Sequence, residues 1–260
     1  MSRFSHLEFE ERRREPAGVT QPGTPMRDAL FFRDEAQRAW LNGDFELALR
    51  NYSRALEQDK LYFEGWAGQV RMLIELEEYE EALLWADKAL ELFPEHPQLL
   101  SAKAVACARS GDFVKAMAYT DNAMSRKGLA PHVWLARAEV LLERKSPAAS
   151  NCLKNAISVA GPDAPRIQLE AGRLLLRFRQ WPPAMECLHQ AVKELPHSAM
   201  AWLSLGRCQA ALGWPEARET LAQSLILRPA WVEADRALSA FENRGLFARV
   251  RGLFRRTVRT

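Results

Sequence analysis

Four cysteines and five histidines carry most of the reactive chemistry in this sequence, and their spacing assembles none of it into a site. Cys107, Cys152, Cys187 and Cys208 fall inside helical patterns with no CxxC pair, which reads as reduced thiols packed as small hydrophobes. His6, His96, His132, His189 and His197 are scattered and form no HExxH. There is no phosphate-cradling GxxxxGK[ST] and no GxSxG nucleophile turn. The densest acidic run, Glu77, Glu78, Glu80 and Glu81, surrounds a helix start, where carboxylates meet the positive end of the helix dipole. It reads as a solvated face rather than a cation site. The expectation is a non-enzymatic protein with no metal and no cofactor.

Arginine is the side chain with a pattern. Net charge is +3, yet Asn243 to Thr260 holds six arginines and no acid, which leaves −3 for residues 1–242. A mildly acidic body carries a basic end. There Leu246, Val250, Leu253 and Phe254 share one helical face, with Arg249, Arg251, Arg255 and Arg256 around the rest. Such a helix can cap a fold, lie on an anionic membrane, bind nucleic acid or dock on an acidic filament. Confinement of the basic charge to one end argues against nucleic acid as the main partner.

The elements that would position these side chains follow from a period. Ala48, Ala82 and Ala116 lie 34 residues apart, as do Ala55, Ala89 and Ala123. Small residues at such points let two helices approach closely, and a fixed period of this length marks a stack of helix pairs. Glycine turns recur as Gly43-Asp44-Phe45 and Gly111-Asp112-Phe113. Trp66, Trp134 and Trp202 return at double the period and read as core.

Position for position, these units resemble tetratricopeptide (TPR) repeats, helix-turn-helix units of 34 residues with a large residue at position 4, small ones at 8, 20 and 27, and often proline at 32. Phe63 to His96 supplies Trp66, Val70, Tyr79, Ala82, Ala89 and Pro94 at positions 4, 8, 17, 20, 27 and 32. The resemblance implies an all-α fold, a right-handed superhelical solenoid of about six to seven repeats. The organisation expected is a flexible arm over 1–27, six repeats over 28–230, and a degenerate repeat with basic capping helices over 231–260. Thr24-Pro25 reads as the first helix start. Repeat four keeps Trp134, Ala138, Ala149 and Ala156 but has a turn one residue shorter at Ser146-Pro147, returned by the loop Ala160-Gly161-Pro162-Asp163. Repeat six is short again at Gly213-Trp214-Pro215.

The resemblance also implies where a partner binds, on the concave surface lined by positions 2, 5, 9, 12 and 13 of each first helix. Those positions give Arg33 and Gln37 in repeat one, Arg71 in repeat two, Arg109 in repeat three, Arg166, Arg173 and Arg177 in repeat five and Arg207 in repeat six. The C-terminal half of that groove is expected to be basic with apolar interruptions, suited to an acidic peptide or protein surface, because guanidinium pairs bidentately with carboxylate. The family's carboxylate-clamp members need Lys and Asn at set groove positions, and here Arg33 and Gln37 stand in repeat one and Gly68 in repeat two, which argues against that activity.

The function implied is an adaptor or scaffold for protein partners. Small arrays of this kind are similar to the bacterial kinesin-light-chain-like proteins associated with bacterial tubulins, so a tubulin-like filament is one acidic partner implied. The rival is a membrane-associated factor held by the basic C-terminal helix. In the N-terminal arm, Phe4, Leu7 and Phe9 are candidate anchors on an otherwise tail-like segment. No apolar run reaches the length of a membrane span and the N-terminus lacks a signal-peptide core, so the expected address is the cytoplasm.

Overall fold

The computed structural model describes residues 28–126 and 129–243, and within them every regular element is helical. In chain order they are α1 (Ala29–Leu41), α2 (Phe45–Gln58), α3 (Phe63–Glu75), α4 (Tyr79–Leu92), α5 (Pro97–Arg109), α6 (Phe113–Met124), α7 (Pro131–Glu143) and α8 (Ala149–Ser158), then a 3-10 turn (Gly161–Asp163), α9 (Ala164–Arg177), α10 (Trp181–Glu194), α11 (Ala199–Leu212) and α12 (Ala217–Leu227). Residues 232–243 are also helical. The expected all-α array of helix pairs is what the chain forms. The Thr24-Pro25 start lies outside the described residues; within them, Asp28 accepts from the Phe31 amide at 2.8 Å at the head of α1.

The described residues fall into two compact units, 28–40 with 44–149, and 41–43 with 150–243. In the first, α3 packs on α2, α4 and α5, and α5 packs on α6 and α7. In the second, α9 packs on α10, α10 on α11, and α11 on α12 and α9. The periodic alanines lie where these helices meet: Ala48, Ala82, Ala116 and Ala184 are fully buried, as are Ala55, Ala89, Ala123 and Ala191. Two glycines carry the approach further. A Cβ on Gly172 would sit 2.6 Å from Leu188 Cγ, and one on Gly206 would sit 2.7 Å from the Leu221 side chain. Gly68 has the same cause, since a Cβ there would lie 2.3 Å from the Tyr52 ring.

Each first helix ends in the same way. Residues 43, 77, 111, 145, 179 and 213, spaced by one period, all have positive φ, between 55° and 93°. The amide that follows each of them turns back to a carbonyl five residues earlier: Asp44 to Ala39, Glu78 to Leu73, Asp112 to Cys107, Ser146 to Leu141, Gln180 to Leu175 and Trp214 to Gln209, all between 2.8 and 3.0 Å. This is the Schellman arrangement, which satisfies carbonyls that a helix end leaves bare. Gly43, Gly111 and Gly213 enter the left-handed region freely, whereas Glu77, Lys145 and Arg179 hold a Cβ in it.

This geometry locates the missing residue of repeats four and six. Their left-handed positions, Lys145 and Gly213, stay in phase, and the loss falls after them: Pro147 and Pro215 open short turns, and the buried alanines Ala149 and Ala217 come one residue early. Proline fixes φ and donates no amide, so it suits the entry to a helix.

The repeated tryptophans are not equally buried. Trp66 is buried with its indole donating to the Lys60 carbonyl at 2.9 Å. Trp202 donates to Pro196 in the same way at 2.8 Å, but it and Trp134 are only half-buried. An indole N–H needs an acceptor, and the loop carbonyl six residues back supplies it at Trp66 and Trp202 alike. Three of the four cysteines are buried and Cys187 is half-buried, all as free thiols.

Candidate functional site

The inner positions of the first helices hold arginines, and most already have a carboxylate. In the first unit, Arg33 donates from Nη2 and Nε to Asp34 at 2.7 and 2.9 Å, and its Nη1 lies 3.8 Å from Glu64. Glu64 in turn accepts from the Tyr62 hydroxyl at 2.5 Å. Burial first, and Glu64 second, push the Tyr62 hydroxyl well above the ordinary tyrosine range, so it stays a donor. Gln37 is half-buried on the same helix.

Arg109 on α5 reaches Glu139 on α7, Nε to Oε1 at 2.7 Å. Burial works against this guanidinium, but the charge and hydrogen bonds of Glu139 outweigh it, and the balance holds Arg109 above its ordinary value. Arg71 differs. It is half-buried, and its Nη1 is shielded from solvent with no hydrogen-bond partner. A charged donor in that state is costly, and a carboxylate could reach it only if the side chain or its cover moved.

In the second unit, Arg166 is held between Asp163 at 2.9 Å and Glu170 at 3.2 Å. Arg207 pairs with Glu233 at 2.8 Å. Arg173 is half-buried and engaged, while Arg177 is exposed on the last turn of α9. The basic character expected of this half is therefore partly spent within the fold. Arg249, Arg251, Arg255 and Arg256 lie outside the described residues.

Several participants escaped the sequence reading. The carboxylates that neutralise Arg33, Arg109, Arg166 and Arg207 were visible, but not as partners. Among the described residues, no group of three or more His, Cys, Asp and Glu side chains could hold a metal ion. Burial pushes the Cys187 and Cys208 thiols up to about 11, away from nucleophilic use near neutrality. No described helix is long and apolar enough to cross a membrane.

The tetratricopeptide repeat family model matches residues 33–97 and 169–230, one stretch in each unit. Over those two stretches the chain carries tetratricopeptide repeats. A tetratricopeptide repeat protein from Parabacteroides merdae superposes with a TM-score of 0.52 at 16% identity, over 85% of this chain and 87% of that one. Yeast Tom70 gives 0.53 at 21%, over 81% of this chain and 47% of its own, and a chain of the Cut9-Hcn1 assembly gives 0.53 at 16%, over 83% and 43%. At such identities the likeness is one of fold. In sequence, the chain is similar to Protein SGT1 homolog of Oryza sativa subsp. japonica, 34% identical over 90 residues. That match spans 35% of this chain and about a quarter of the rice protein. TPR arrays are repeat scaffolds that present extended surfaces to protein partners.

Proposed function

We propose that this TPR protein is a non-catalytic adaptor that holds a protein partner through an acidic segment lying on the inner positions of its first helices. The observation that carries this reading is Arg71. Arg33 and Arg109, at inner positions of the neighbouring first helices, are already met by carboxylates, and Arg71 retains a sequestered guanidinium N–H with nothing to accept it. Ile74 and Leu135, at the same set of positions, are buried, so the recognition proposed here is of carboxylate by guanidinium. A tubulin-like filament, acidic on its surface, is one partner of that chemistry.

The test is affinity purification from the native cell at low and moderate salt. The full chain, Arg71→Ala and a chain ending at residue 242 are run in parallel, with mass spectrometry of what co-elutes. One acidic protein held by the full chain and lost with Arg71→Ala supports the adaptor. Anionic lipid in place of protein, lost with residues 243–260, would make the membrane reading primary. Retention of the same partner by Arg71→Ala would move the site elsewhere.

A further inference from the structure

Two neighbouring turns in the second unit expose a combination of side chains that packing does not require. The turn after α9 presents Arg177 and Arg179, both exposed, around the half-buried Phe178. The turn after α11 exposes Leu212 and Trp214, the indole 42% accessible. One contact links the two elements: the Cys208 thiol donates to the Trp181 carbonyl at 3.5 Å, tying the head of α10 to the last turns of α11. Leu212 follows Cys208 by one helical turn, about 6 Å along the axis. Across 177–182 and 212–216 the single carboxylate is Glu216. Arg177 and Arg179 have no ion-pair partner among the described residues, unlike Arg166 and Arg207 in the same unit.

Arg179 occupies the left-handed position, with φ 56°, at a site where three of the six equivalent turns have glycine. Glu77 and Lys145 hold a side chain in the same conformation, so Arg179 enters here only as an exposed cation without an ion-pair partner among the described residues. An exposed indole beside an aliphatic side chain and two unpaired guanidinium groups has the make-up of a binding hot spot.

We propose that the paired turns 177–182 and 212–216 form a docking edge for a short acidic segment of a protein partner, with Trp214 and Leu212 receiving an aliphatic side chain and Arg177 and Arg179 pairing with carboxylates on either side. The edge is built from turns of the second unit, with Arg177 its one residue from the inner positions, whereas Arg71 belongs to the first unit, and substitutions test the two separately.

The probe is a fluorescein-labelled twelve-residue peptide of Glu and Asp around one central Leu, with two comparison peptides in which Gln and Asn replace the acids or Ser replaces the Leu. Anisotropy titration against the full chain should give saturable binding of the first peptide. Trp214→Ala, and Arg177→Ala with Arg179→Ala, should each weaken it by about fivefold or more. Arg179→Gly should melt at a higher temperature than the parent yet bind as weakly as Arg179→Ala, a split that damage to folding cannot produce. Arg71→Ala should leave unchanged the component of binding that the turn variants remove. The proposal falls if there is no saturable binding, if the Gln/Asn or Ser peptide binds as tightly, if the turn variants match the parent, or if only Arg71→Ala loses affinity. The last result would leave the inner-position reading standing alone.

Discussion

Arg109 donates to Glu139 across the α5–α7 contact at 2.7 Å, with the two side chains only 18% and 7% exposed. The two residues are thirty apart in sequence and bridge consecutive first helices, so the pair neutralises one of the cations proposed to meet a partner. Burying both charges is expensive, and separating them more so.

Arg109→Met alone, leaving Glu139 buried and unpaired, should therefore destabilise the fold by about 3 kcal/mol. Adding Glu139→Leu should recover most of that. A double-mutant cycle by urea unfolding measures the coupling, and additive losses would show the pair to be independent.

The left-handed turns give a series with opposite signs. Glu77→Gly and Lys145→Gly should each stabilise by about 0.5–1 kcal/mol, because glycine carries no Cβ into positive φ. Gly213→Ala should lose about 1 kcal/mol for the same reason. Calorimetry of the three variants checks the pattern.

Close approach between helices gives a harsher substitution. Gly206→Ala brings a Cβ to 2.7 Å from the Leu221 side chain and 3.1 Å from its backbone nitrogen. The side chain can turn away and the backbone cannot, so the expected cost is about 1–3 kcal/mol in denaturant unfolding.

Thiol reactivity should follow burial. With Cys187 and Cys208 pushed up to about 11, about a thousandth of each is thiolate at pH 8. A disulfide reagent such as DTNB should label the native protein slowly and release four equivalents only after denaturation. Rapid native labelling of either residue would contradict its environment.

Asp112 supplies a pH signature. It accepts from the Lys115 side chain and amide, which hold its carboxyl below the ordinary aspartate value. A depressed folded value means the contribution is present above the unfolded pKa and is lost as pH falls through the folded one. Asp112→Asn should flatten the acid side of the stability profile, read by thermal melts between neutral pH and about pH 3.

What could be read from sequence was the part written in side-chain size. Ala82 and Ala116 announce a helix contact because small residues are what close packing leaves room for, and both are fully buried. Turns at 43, 111 and 213 were legible through glycine, but the same conformation at Glu77, Lys145 and Arg179 was hidden by residues that rarely adopt it. The pairing of Arg109 was hidden for a different reason: which carboxylate a guanidinium meets is decided by the stacking of one repeat on the next, and Glu139 belongs to another repeat. In the same way, Arg166 looked like a groove cation until Asp163 and Glu170 were seen to enclose it.

The hydrogen bond that closes each first helix begins and ends within one repeat, from Asp44 to Ala39 through Trp214 to Gln209. Packing between repeats is shared, but these stops are private. A terminal repeat that peels away gives up its neighbour's apolar surface while its own turn remains satisfied, so the helix pair is the natural quantum of opening. Amide exchange should then show the six turn amides protected in steps that differ from repeat to repeat, with each Schellman amide outlasting the surface residues beside it.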